Sequence, residues 1–111
     1  AATTDETAYC FVLPFKAKVS DISVVFNDDI TGADSNSTDF VVGYEVGGDF
    51  TTFKATSFVS GTTATAGAAN DYTPASETIL EAGTMIAVVW EKVGNGLKIP
   101  SGLLVIKYQG A

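Results

Sequence analysis

The stretch Asp39-Phe40-Val41-Val42-Gly43-Tyr44-Glu45-Val46 decides the fold class. Phe40, Val42, Tyr44 and Val46 alternate with Asp39, Val41, Gly43 and Glu45. An apolar period of two puts alternate side chains on opposite sides of an extended chain, so this is a half-buried strand. Ile22, Val24 and Phe26 repeat the pattern against Asp21, Ser23 and Val25. Residues 9–13 form a short apolar run ended by Pro14, which suits a strand end or an edge. Residues 50–60 are rich in Thr and Phe, and their apolar parity changes between Phe53 and Phe58, as a bulge or strong twist would produce. Residues 85–90 and 103–108 are the most β-prone of all.

No window carries a helical stripe. Residues 62–69 are alanine-rich, but Gly67 interrupts them and no apolar face forms, so they read as a flexible connection. Turn residues recur at Asp34-Ser35-Asn36, Gly47-Gly48-Asp49, Glu81-Ala82-Gly83 and Gly94-Asn95-Gly96. Gly47-Gly48 predicts a tight hairpin, because its turn needs positive φ. Seven to eight strands at near-regular spacing predict an all-β, antiparallel β-sandwich. The long connections 28–38 and 60–75 favour a jelly-roll-like crossover over a simple meander. With 111 residues the chain makes one domain, read as a polar arm over residues 1–8 and a sandwich over residues 9–111.

Composition excludes whole classes of chemistry. All six basic residues are lysine; histidine and arginine are absent, and 13 acidic residues bring the net charge to −7. Without histidine there is no imidazole base, no Ser-His-Asp or Cys-His pair, and no His-ligated zinc. Without arginine, and at this charge, nucleic-acid backbones and anionic membranes are not expected partners. No apolar run approaches the ~20 residues of a spanning helix. Residues 1–9, AATTDETAY, lack the basic and apolar regions of a signal peptide. Cys10 is the single cysteine, so no internal disulfide forms; it lies in an apolar strand without a basic neighbour and reads as a core thiol.

Residues 27–39, NDDITGADSNSTD, lack the spacing of an EF-hand and read as solvated turn carboxylates, and no metal or cofactor is expected. Asp28-Asp29 and Glu77/Glu81 are the pairs a glycosidase would use, but no aromatic sugar platform stands beside them. The one tryptophan, Trp90, belongs to an apolar strand that is expected to bury it. The chain is therefore read as non-enzymatic.

Residues 85–90 are apolar on both faces, with Ile86, Val88 and Trp90 on one and Met85, Ala87 and Val89 on the other. Residues 103–108 repeat this, Leu104, Ile106 and Tyr108 opposing Leu103 and Val105. The bulkier set of each strand is expected to face the core. A two-layer domain needs only one apolar face per strand, so a loop such as residues 62–74, the N-terminal arm or another chain must cover the second. If the two strands are neighbours, the outer residues merge into one patch. Met85, Val89, Leu103 and Val105 are then the candidate partner interface.

Phe11-Val12-Leu13-Pro14-Phe15, a following Lys-Val strand, and Asp29-Ile30-Thr31-Gly32-Ala33-Asp34-Ser35-Asn36 resemble the small decoration or cement proteins of tailed-bacteriophage capsids. Leu80-Glu81-Ala82-Gly83-Thr84, the run to Trp90, Gly94-Asn95-Gly96-Leu97 and Pro100-Ser101-Gly102 extend the resemblance over residues 9–108. It is nearest to the cement proteins of epsilon15-like short-tailed phages. The resemblance implies a jelly-roll made in the host bacterial cytoplasm and carried on the outer capsid surface of the virion. It further implies the major capsid protein as partner, self-association as a dimer or trimer, and no catalysis or cofactor. A secreted carbohydrate-binding or adhesive β-sandwich is the alternative, and it requires an exposed aromatic platform or calcium.

Overall fold

The computed structural model describes residues 6–33, 35–75, 78–94, 97 and 99–111. They form strands β1 (Glu6–Val12), β2 (Ala17–Phe26), β3 (Ile30–Thr31), β4 (Ser37–Val46), β5 (Asp49–Ser57), β6 (Thr63–Ala64), β7 (Ala69–Asp71), β8 (Thr78–Leu80), β9 (Met85–Val93) and β10 (Gly102–Gly110), with no helix among the described residues. The first sheet runs β1-β9-β4-β5. In the second, β10 pairs one flank of β2 while β7 and β8 share the other. Every pairing is antiparallel. The chain passes from sheet to sheet between β1 and β2, between β2 and β4, between β5 and β7, between β8 and β9, and between β9 and β10. That path is the jelly-roll form of an antiparallel β-sandwich, as the long connections predict. β1 starts at Glu6, so the sandwich begins three residues ahead of the expected boundary at Tyr9.

The period-two residues of β2 and β4 meet in the middle. Val19, Ile22, Val24 and Phe26 from β2 and Phe40 and Val42 from β4 are all buried. Phe26 stands edge-on to Phe40 at 5.2 Å and to Phe58 at 6.1 Å, and Phe40 meets Tyr72 at 5.6 Å. Edge-to-face rings gain about 0.5–1.5 kcal/mol beyond area burial because the positive rim of one lies on the negative face of another. The buried Tyr72 hydroxyl donates to Thr56 Oγ1 at 2.9 Å, so no polar atom is stranded. Burial raises its pKa, since a phenolate there would lose water.

Local signals in the sequence account for the edges. Gly47 and Gly48 form a two-residue loop with φ of 57° and 88°, joining Val46 and Asp49, which face each other across the hairpin. The parity change in residues 50–60 is a bulge: Val42 pairs with Lys54 and Gly43 with Thr52, leaving Phe53 as the extra residue. Phe53 turns inward against Tyr44, with centroids 5.1 Å apart.

Residues 62–69, expected as a flexible connection, are instead stitched down. β6 pairs β3, Gly32 N donates to Thr62 O, Gly67 N donates to Phe26 O, and Ala66 N donates to Asp29 Oδ1 at 2.7 Å. The connection from β9 to β10 is anchored too: Asn27 donates from its backbone N to Ser101 O and from Nδ2 to Ser101 Oγ, each at 2.8 Å.

Phe26 carries the second sheet onto rings from β4 and the segment after β5, so its loss should dominate stability. Phe26→Ala is expected to cost about 3–5 kcal/mol, a large part of the roughly 5–15 kcal/mol available to a domain. Urea unfolding of the two proteins measures it; a loss under about 1 kcal/mol would contradict this core.

Candidate partner-binding surfaces

The four candidate interface residues do not form one patch. β9 lies inside the first sheet between β1 and β4, whereas β10 is an edge of the second. The supposition that these strands are neighbours is corrected: the chain changes sheets between them, so their outer faces point in opposite directions. The inward sets are as expected. Ile86 and Val88 are buried, and Trp90, Leu104, Ile106 and Tyr108 pack against the core from partly buried positions.

Met85 and Val89 are half-buried on the outer face of the first sheet, and Ala87 between them is 0% exposed. Side chains of the two edge strands contribute this cover. Tyr9 on β1 lies opposite Ala87, and its hydroxyl reaches past β9 to the Glu45 carboxylate on β4, 3.1 and 3.2 Å from the two oxygens. From β5, the Phe50 ring lies over Gly43, where an added Cβ would strike both that ring and the Thr51 carbonyl. Small residues at 43 and 87, paired across β4 and β9, make room for these rings. Aromatic side chains are thus what covers the second face of β9, rather than the loop 62–74.

The second sheet's outer face has no such cover among the described residues. Leu103, 62% exposed, pairs with Val25, which pairs with Ala69; Val105, 47% exposed, pairs with Ser23. Toward the other end the rows are mixed, Lys107 facing Asp21 and Gln109 facing Lys18, which pairs in turn with the exposed Ile79. Half of the expected interface therefore sits in a real apolar strip, and Val25 and Ala69 complete it. The signal for Val25 was present in the sequence, because it is the apolar exception on the Asp21, Ser23 face of its strand.

Several of the acidic residues have structural partners. Asp29 holds Ala66, Asp39 Oδ1 accepts from Ser57 Oγ at 2.7 Å, and Glu81 lies 3.8 Å from Lys16 Nζ. Asp34 and Glu77 lie outside the described residues. Among the described residues no three acidic or cysteine side chains converge on a common point. Cys10, expected as a core thiol, occupies the bulge between Tyr9 and Phe11 on an edge strand and is exposed. Partial burial of its thiol raises the pKa, opposed by a backbone hydrogen bond from Val88, so the thiol is poorly ionised.

Between the edges of β1 and β10, which pair with no further strand among the described residues, a slot of about 180 Å³ opens into the sandwich, lined by Ala8, Cys10, Trp90, Ile99, Gly102 and Leu104 among others. A second hollow, formed by Asp28, Asp29, Ile99, Pro100 and Ser101, continues from its mouth. Trp90 is only half-buried because it forms part of this slot. No protein-family model, curated protein or solved structure matches the chain.

The Tyr9–Glu45 strap carries a pH signature. The hydrogen bond to Glu45 and then its negative charge raise the Tyr9 pKa. The strap is therefore fully present below the ordinary tyrosine pKa of about 10 and is lost as pH rises through the raised value. Glu45→Gln is expected to bring Tyr9 ionisation back toward the ordinary range, read by ultraviolet absorbance of tyrosinate. Identical titrations of the two proteins would show that the strap does not form.

Proposed function

We propose that the protein is a non-enzymatic structural protein that binds the outer surface of an assembled capsid and staples neighbouring capsomers, with the major capsid protein as its partner. The observation that supports this most is the apolar strip of Leu103, Val25, Ala69 and Val105 on the outside of the second sheet. On the first sheet Tyr9 and Phe50 lie over Ala87 and Gly43, although Val12 beside Met85 stays 54% exposed; on the second no ring lies over the strip among the described residues. Burying such a strip against a partner contributes roughly 25 cal/mol per Å² before the cost of association. On a shell each copy makes several modest contacts at once, and the lattice supplies a high effective concentration. Self-association as a dimer or trimer about a shell symmetry axis fits the same need. A chain without histidine or arginine loses nothing in this role.

Co-sedimentation with purified shells tests the reading. Wild-type protein should bind shells and protect them against heat or low salt. Leu103→Asp and Val105→Asp should change stability by no more than about 0.5 kcal/mol, as exposed positions do, yet lose shell binding. Val89→Asp, on the covered face, should instead cost more than about 1 kcal/mol of stability. Shells that bind none of the protein, or bind the Asp variants equally well, would overturn the reading.

A further inference from the structure

The two sheets differ in width, and the difference leaves a place for one strand. Among the described residues the first sheet is four strands wide and the second three, because β7 and β8 share a flank of β2. Where Phe40 meets Phe26, β4 lies over β2. Counting outward from that pair, β9 lies over β10, and β1 extends one rank beyond the second sheet. At one end of β1 the gap is closed by rings, Phe11 and Phe15 lying 5.2 and 5.9 Å from Tyr108. At the other end it stays open as the slot between Ala8, Cys10 and Gly102–Leu104.

We infer that this slot is a strand-addition site, in which an extended peptide segment of a partner pairs with the free edge of β10 over residues 102–106. The edge is fit for pairing. Its sequence there is Gly-Leu-Leu-Val-Ile, with no charge or proline to guard it, and the first charge, Lys107, comes only where β2 bulges at Ser20. The room is that of a single strand, about 4.8 Å beyond β10. A second copy pairing its β10 antiparallel to this one is excluded on the same geometry, because its β9 would fall where β1 already stands.

The walls define the segment's chemistry. Val88, Trp90 and Leu104 present apolar surface to the inner face of an added strand, so the segment carries bulky apolar residues at alternate positions. Asp28 and Asp29 stand at the adjoining mouth, so it ends there on a lysine or arginine. Residues 1–5 of this chain, Ala-Ala-Thr-Thr-Asp, have neither property. The site does not rest on the capsid reading: Leu103 and Val105 serve the outer strip through their side chains and the β10 edge through their backbone, and peptide binding is read without shells.

The test uses the whole protein and synthetic ten-residue peptides. One alternates valine or isoleucine with threonine between terminal lysines; others end in glutamate, carry a central proline, or contain the sequence of residues 1–6. The lysine-ended peptide should bind with about micromolar affinity, slow exchange of the outward amides of residues 102–106 about tenfold, and slow maleimide reaction of Cys10 similarly. The glutamate-ended and proline-containing peptides should bind at least about fivefold more weakly, and Ala8→Leu, which fills the slot, should weaken binding about tenfold. Absence of binding, protection on β5 instead of β10, or equal binding of the glutamate-ended peptide would overturn the inference. Tighter binding by the peptide of residues 1–6 would do so too, by making the occupant another copy's N-terminus.

Discussion

Everything in this molecule is placed by the contact of Phe26 with Phe40 and Phe58. Strand pairing within each sheet does not fix how the two sheets lie on each other, so the side chains between them, with the backbone bonds of the connections, set their relative position. Phe26 stands at the end of β2 and its ring fits edge-on between rings from β4 and the segment after β5. That lock sets β4 over β2. Every other rank follows, including β9 over β10 and the overhang of β1.

The same lock explains why the two outer faces differ. An apolar strand needs one covered face for the core, and β9 has two. The first sheet resolves this with its own edges: Tyr9 crosses β9 to reach Glu45, and Phe50 lies on Gly43. Both rings need a small residue beneath them, which Ala87 and Gly43 supply. The second sheet has Ser23, Ala69 and Asp71 near its apolar row, and none is long enough to roof Leu103 and Val105.

Local features of the fold were legible in the sequence because local chemistry sets them. Period-two spacing located β2 and β4, the parity change between Phe53 and Phe58 announced the bulge, and Gly47-Gly48 marked the hairpin. Side-chain bulk correctly sorted Ile86 and Val88 from Met85 and Val89, and Leu104 and Ile106 from Leu103 and Val105. Pairing partners were not legible, since they depend on residues far apart in the chain. The single patch was conditional on β9 and β10 being neighbours, and these two strands, close in sequence and alike in composition, lie in different sheets. The same reason hid the Tyr9–Glu45 strap, 36 residues apart in sequence, and the edge position that exposes Cys10. The slot was invisible for a further reason: it is made by the strand that the second sheet lacks.

Among the described residues β10 has one paired edge, toward β2, and one open edge beside the slot. Amide hydrogen exchange of the free protein, resolved residue by residue over 102–106, tests it most directly. The account predicts alternation, with amides bonded to β2 exchanging slowly and the intervening ones within about tenfold of the unstructured rate. Uniformly slow exchange along those five residues would mean that the edge is already covered, and would contradict the account.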